Sequence, residues 1–315
     1  MELISVIIPA YNAEQTIERC LNSILGGYYK EIEVIVVNDG SVDSTAHRIS
    51  AIAENDNRIK LINQENIGVA GARNTGLRNA TGKYIAWCDS DDWVEPDWLE
   101  SLHKHIVEYD ADIAICRCQI DGRASVNTGE VEIWDRDTAM KKFLEHKQLN
   151  GTLWNKLFRW DKTVGLLFDV TLTHWEDTEF VWQVLQTCHK VVRFHLEKYH
   201  FSINETSLMN SPCSKGRVSS TLTVWEHIGE QCVTLGQEYC ERANTMCAVQ
   251  SYGLLLAMFR SGYSDAGMER RIKGHMRSSF CSAVKVIGGT AHKLIYCICM
   301  INSEFGRKLY TFLTR

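Results

Sequence analysis

Tyr84-Ile85-Ala86-Trp87-Cys88-Asp89-Ser90-Asp91-Asp92-Trp93 sets an apolar run, long enough for one buried strand, directly against three carboxylates with a single serine among them. Carboxylates gathered at a strand end repel one another unless positive charge lies between them, and a hard divalent cation with oxygen ligands is the usual neutraliser. A solvated acidic turn before the helix that Pro96 starts, with Asp89 or Asp92 near its N-terminal dipole, accounts equally well for the stretch taken alone. The flanking sequence decides between them.

Upstream, residues 3–9 read as a strand ended by Pro9. Ala10-Tyr11-Asn12 forms a loop before an amphipathic helix through about Leu25, with Ile17, Cys20, Leu21 and Ile24 at helical spacing and Gly26-Gly27 as its stop. Glu33–Val37 reads as a second buried strand leading into Asn38-Asp39-Gly40-Ser41, then a helix capped by Ser41 or Asp43 with Ser44, Thr45 and Ala46 in its first turn. Ile59–Ile62 is a short third strand, and Gly68–Ala80 a small-residue helix that carries Arg73. Strand and helix alternate at this pace only in an α/β chain, with a mainly parallel sheet buried on both faces and flanked by helices. Ligands bind such sheets at the carboxyl ends of the strands, where Pro9–Asn12, Asn38–Ser41 and Asp89–Asp92 all fall. Three polar loops are therefore expected around one cleft.

A dinucleotide-binding turn would need Gly-x-Gly-x-x-Gly after the first strand, and a nucleoside-triphosphate loop would need Gly-x-x-x-x-Gly-Lys-Ser/Thr. Neither is present. Tyr11 suits stacking on a base or ring, and Asp39 can accept from a base or ribose. An Asx turn or helix cap formed with Gly40 is the plainer account of Asp39.

Four segments, Ser5–Asn12, Val36–Thr45, Asn66–Gly76 and Gly82–Asp92, resemble in order and spacing the successive signatures of family 2 glycosyltransferases with the GT-A fold. The resemblance covers about the first 120 residues. It implies that Tyr11 and Asp39 hold the nucleotide base, usually uracil, with Pro9 and Ser90 also lining the donor site. It places Arg73 near the diphosphate, where a planar fork suits phosphate oxygens. Asp89 and Asp91 match the family's Asp-x-Asp motif: Asp91 would bind Mn2+ or Mg2+ directly, and Asp89 would contact ribose or a metal-bound water. Asp92 is left as a cap for the next helix.

In the second half, Asp112–Cys118 reads as a strand, Gln119–Gly129 as a turn-rich stretch, Glu130–Trp134 as a strand and Arg136–His146 as a helix. Trp154-Asn155-Lys156-Leu157-Phe158 resembles a segment of capsule and lipopolysaccharide transferases. There Lys156 could approach phosphate, and an amphipathic strand with a surface lysine explains it equally well. His174-Trp175-Glu176-Asp177 precedes an apolar helix (Phe180, Val181, Val184, Leu185), so the acidic pair reads plainly as an N-terminal dipole partner. The resemblance assigns it catalysis: Asp177 as the general base of an inverting transfer, with Glu176 orienting the acceptor. His174 is a packed loop histidine or an acceptor contact, and Trp175 is core or a platform for a sugar face. Tyr199–Leu208 resembles the segment that follows the last sheet strand in relatives, with Ser202 where many have arginine; His200 or Lys215 could substitute.

The 315 residues carry a net charge of −5 and 45% hydrophobic residues, enough for a large core without staples. The twelve cysteines form no Cys-x-x-Cys, so they are expected as reduced thiols in a cytosolic protein. The run Leu3–Ile8 lacks a basic leader, so the translated start is expected to be the mature one. Residues 251–315 hold ten Lys/Arg against three Asp/Glu, net +7. Helical patterning with basic faces there suggests either attachment to an anionic membrane surface or a helical appendage packed on the catalytic part. No nucleic-acid-binding module is recognisable.

The expected organisation is a nucleotide-sugar-binding half (1–120), an acceptor-side half (121–217) and a helical basic C-terminal region (218–315). The implied protein is cytoplasmic and peripheral on the inner membrane face. It takes a UDP-sugar donor and a glycan or lipid-linked glycan acceptor. A non-catalytic nucleotide-sugar or glycan-binding protein, or a protein or teichoic-acid glycosyltransferase, stands as the alternative.

Overall fold

The computed structural model describes residues 2–120, 127–203 and 213–313. Strands β1 (Ile4–Ala10), β2 (Ile32–Asp39), β3 (Ile59–Gln64) and β4 (Tyr84–Trp87) alternate with helices α1 (Ile17–Leu25), α2 (Thr45–Ala53) and α3 (Gly68–Asn79). They pair in parallel in the order β3-β2-β1-β4. Every residue of β1 and β4 is buried, as expected for strands covered on both faces. Ile4, Val6 and Ile8 meet Ile17, Leu21 and Ile24 of α1 on one face. Ile35 and Val37 meet Ala72 of α3 on the other. That second layer is close: a Cβ on Gly76 would lie 2.3 Å from Ile7 Cγ2. The small residues of α3 thus let it lie directly on the sheet.

Pro9 does not end β1, which runs through it to Ala10. The register with β4 stops at Ile7–Trp87, where Cys88 N donates to the Ile7 carbonyl at 3.1 Å. Pro9 lies two residues further on, so its missing N–H removes no ladder bond. The helix after β2 also begins later than its polar leader suggests. Asp43 Oδ1 accepts from Thr45 N (3.0 Å) and Thr45 Oγ1 (2.6 Å), and Ser44 is the N-cap.

The rest of the sheet comes from β5 (Trp93–Val94), β6 (Ile113–Ile120), β7 (Val131–Asp135), β8 (Lys156–Arg159) and β9 (Lys190–Phe201). Between them lie α4 (Trp98–Glu108), α5 (Arg136–Glu145) and α6 (Glu176–Thr187). The sheet order continues β4-β8-β6-β9-β5, with β7 also on β9. β8 runs antiparallel between β4 and β6, whereas β6 and β9 are parallel. The sheet is therefore mixed: the first ninety residues build four parallel strands, and β6 with β9 adds a further parallel pair. β5 has no sequence signature of its own: two residues pair with Tyr199 and His200 of β9. Tyr199 and His200 accordingly lie within the last strand rather than after it. Part of the turn-rich stretch after β6 and the end of the Tyr199–Leu208 segment lie outside the described residues.

The chain divides into two compact units. One holds the sheet with α1–α4 and α6. The other holds α7 (Lys215–Cys232), α8 (Gln237–Ser261), α9 (Ala266–Ser278), α10 (Phe280–Val286), α11 (Thr290–Ile301) and α12 (Ser303–Leu313), with Lys141–Leu149 and Leu172–Trp175. Its core joins Leu222, Tyr252, Leu255, Ile272, Met276 and Tyr296. Arg271 and His275 of its basic face converge on Glu226, so part of that basic charge is neutralised internally. All twelve cysteines are free. Among the described residues no helix is long and apolar enough to cross a membrane.

Candidate active site

The loops after β1 and β2 hold each other. Asn12, at φ 49°, donates its N–H to Ser41 Oγ (3.0 Å) while its side chain accepts from Val42 N (3.0 Å). Ala13 N bonds Thr45 Oγ1 at 2.7 Å. Tyr11 stands at the end of this clamp, 52% exposed, so its ring is open to a stacking partner. Asp39 is buried, and its carboxylate accepts from Gln64 Nε2 (2.7 Å), Ile67 N (3.0 Å) and Gly68 N (2.9 Å). It thus sits on the N-terminal amides of α3, where the helix dipole favours a negative charge. Gly40, at φ 73°, leaves room that a Cβ would take from Asn66 N at 2.8 Å.

The acidic turn after β4 is organised from a distance. Asp92 N closes the turn on the Asp89 carbonyl (3.1 Å). Asp89 N donates to the Tyr199 hydroxyl oxygen (3.1 Å), and that hydroxyl donates to Asp92 Oδ2 (2.6 Å). Ser202 N donates to Asp92 Oδ1 (2.8 Å). Asp92 is fully buried. Burial first, and then the neighbouring Asp89 charge, push its carboxyl up to about 8. It does not cap the following helix, which starts at Trp98; it ties the turn to β9. Asp89, Ser90 and Asp91 remain half-buried.

Arg73 joins this turn to the start of α6. Its Nη1 bonds Glu176 Oε1 at 2.6 Å, and its Nη2 lies 3.4 Å from Asp89 Oδ1. Phe168 lies under the guanidinium, 5.7 Å from centroid to carbon. Asn74 fixes that segment by two 2.8 Å bonds to the Phe168 backbone. Arg73 therefore has both an Asp89 and a Glu176 partner inside the protein. Asp177, next along α6, accepts from Thr178 N at 2.6 Å. Desolvation, followed by the Glu176 charge, raises its carboxyl to about 7, against the lowering effect of Arg73. A carboxyl that titrates near neutrality is suited to taking a proton from a hydroxyl.

Lys156 is not a surface residue. It is 1% exposed, with Nζ bonded to the Thr152 carbonyl and to Asn155 Oδ1 (2.9 Å), and burial pulls it down to about 7. His200 stacks face to face on Trp93 at 3.5 Å and bonds Glu95 Oε1 at 2.7 Å. The side chain that does reach Ser202 is Arg19 of α1, whose Nη2 donates to Ser202 Oγ (2.8 Å) and to the Asp91 carbonyl (2.6 Å). His174 and Trp175 belong to the helical unit, where the Trp175 ring lies 5.6 Å from His146 and 5.9 Å from Trp225. Sequence reading missed Arg19, Tyr199 and the buried role of Asp92. Three acids in four positions were the one available signal that one of them is not solvated.

As a cation site, the turn offers oxygen donors only. Asp92 is committed to Tyr199 and Ser202, and Asp89 faces Arg73. Among the described residues no group of three His, Cys, Asp or Glu side chains could hold a metal. A small hard cation can be held by one or two carboxylates, with substrate phosphates and water completing its shell.

The model of the family described as Glycosyl transferase family 2 matches residues 5–173. The chain belongs to this family. Among its relatives, Glycosyltransferase GlyA of Streptococcus pneumoniae serotype 4 is 35% identical over 222 residues, 65% of this chain and 31% of that protein. The matches span less than two thirds of the length of each of the first curated relatives. Among solved structures, S. aureus TarS 1–349 in complex with UDP-GlcNAc matches this family 2 chain with a TM-score of 0.68 at 18% identity. That match covers 99% of this chain and 91% of TarS 1–349. GalNAc-T7 with UDP, GalNAc and Mn2+ matches with a TM-score of 0.57 at 14% identity, over 87% of this chain and 54% of that one. The family 2 chain thus has the GT-A fold expected from its motifs, with a helical C-terminal region.

Proposed function

We propose that the protein is an inverting, metal-dependent glycosyltransferase. It would transfer a hexose or related sugar from a UDP-sugar to a hydroxyl of a bacterial surface glycan such as lipopolysaccharide core, O-antigen or capsule. The observation that carries this reading is the Arg73 bridge, which brings the acidic turn after β4 within one side chain of the carboxylates that open α6. The TarS complex with UDP-GlcNAc supports the donor class, and the Mn2+ in the GalNAc-T7 structure supports the metal.

In this mechanism the exposed Tyr11 ring stacks on the base, and the Asp39 loop lines the base pocket with Pro9. Asp91, with Asp89, would hold Mn2+ or Mg2+, which when bound offsets charge on the leaving diphosphate. Asp177 takes the proton of the acceptor hydroxyl as its oxygen bonds to the anomeric carbon. The bond from that carbon to the diphosphate oxygen breaks on the opposite face, and UDP leaves with the electron pair. Glu176, fixed by Arg73, orients the acceptor. Asp91→Ala should abolish the metal-dependent part of UDP binding in calorimetry; unchanged metal dependence would remove Asp91 from the cation site.

The helical unit is the proposed attachment to an anionic cytoplasmic membrane face. Its support is the net +7 charge of residues 251–315 and the outward Phe305 and Phe312 beside Lys308 on α12. Phe305→Asp/Phe312→Asp should abolish co-sedimentation with phosphatidylglycerol vesicles; equal sedimentation would assign attachment elsewhere.

A further inference from the structure

Among the described residues two arginines touch the acidic turn, and they differ in what is left of them for a ligand. Arg73 is buried, with its terminal nitrogens directed at Glu176 and Asp89. Arg19 lies on the exposed side of α1 and makes no ion pair among the described residues. Its two bonds, to the Asp91 carbonyl and to Ser202 Oγ, use Nη2 alone. A guanidinium has five N–H donors in one plane, so among the described residues Nε and Nη1 of Arg19 keep theirs, beside the backbone of the residue proposed to hold the cation. The two neutral oxygens fix the plane of the fork without neutralising it. An anion brought to this turn meets the charges of Asp89 and Asp91, and an arginine held by uncharged partners is what can offset them.

We propose that Arg19 is a donor-binding residue that contacts the diphosphate oxygens of the nucleotide, with Ser202 orienting its guanidinium. This rests on the nucleotide-sugar reading of the site. Once the diphosphate is in place, the Nε and Nη1 donors lie toward its oxygens, while Tyr11 and the Asp39 loop take the base. The arginine therefore acts on the charged part of the donor and leaves the nucleoside part unaffected.

The test is calorimetric titration of UDP and of uridine, with Mn2+ present, into the wild-type chain, Arg19→Ala, Arg19→Lys and Ser202→Ala. Arg19→Ala should weaken UDP roughly 10- to 100-fold, the range for lost charge-assisted hydrogen bonds, and leave uridine unchanged. Arg19→Lys should recover part of the loss, because it restores the charge without the fork, and Ser202→Ala should cost less than either. UDP binding by Arg19→Ala at wild-type strength overturns the assignment. So does an equal loss for UDP and uridine, which would make Arg19 a brace for the turn. Failure of the wild-type chain to bind UDP at all would instead overturn the nucleotide-sugar reading, and the assignment with it.

Discussion

The turns after β2 and β4 both end buried parallel strands in aspartates, yet they satisfy them in opposite ways. Asp39 is met by backbone amides at the start of α3 and by Gln64 of the adjacent strand, all within thirty residues. Asp92 is met by Tyr199 and Ser202, more than a hundred residues away, and faces Asp89 and Asp91 as well. The first corner is a local device in which a helix terminus stabilises a carboxylate. The second is closed by long-range partners, and there burial first, then a neighbouring like charge, raises the carboxyl of Asp92, as the same two causes raise that of Asp177. Perturbed acids mark the place where chemistry is arranged. The loop after β2 is held by its local partners, whereas under the proposed function the turn after β4 and the start of α6 would carry the cation and the base.

The strongest way to sharpen this contrast is Asp177→Asn. Transfer, followed as UDP release with acceptor, should fall by ~10²–10⁴ while UDP affinity stays near wild type; an unaltered rate would place the base elsewhere. The wild-type pH profile carries the same information. A base raised to about 7 is protonated and idle at pH 5–6, so kcat/KM should climb with pH and level off above about 8. A profile already flat from pH 5 would contradict a raised Asp177.

Next in size is Arg73→Ala, which leaves Glu176 buried without its ion-pair partner. Loss of one partner from a buried pair costs about 3–5 kcal/mol, to be read from urea denaturation. A loss below about 1 kcal/mol would mean that the bridge does not hold the two carboxylate sites together.

Lys156→Met should act in the opposite direction. Burial lowers the folded-state value of Lys156 to about 7, so over the window from there to its ordinary value the unfolded chain binds more protons, and stability rises with pH. The penalty for the buried charge is therefore full below about 7 and is lost by about 10.5. The methionine variant should gain ~1–3 kcal/mol at pH 6 and much less at pH 10, measured by thermal unfolding at both values. An equal gain at both would assign the effect to packing.

The same contrast explains what could be read from the sequence. The first four strands, α1 and α3 are visible because Val/Ile runs and helical spacing are local signals. Asp39, Asp89 and Asp91 stand out because each closes such a run. Glu176 and Asp177 are visible as the acidic start of an apolar helix. What stayed hidden depends on partners distant in the chain. β5 exists only as two residues paired with β9, and Asp92 is buried only because Tyr199 and Ser202 cover it. Lys156 reads as exposed until β8 is found between β4 and β6. Arg19 looks like any solvent-facing helix residue until α1 is set against the acidic turn.

The most direct test of the central claim is UDP release from a panel of UDP-sugars by the wild-type protein, with Mn2+ and with EDTA, before any acceptor is known. The account predicts slow release from one preferred sugar with Mn2+ and none with EDTA. Release that is indifferent to EDTA would contradict the cation role of Asp89 and Asp91, and silence across the panel together with no calorimetric UDP binding would contradict the transferase itself.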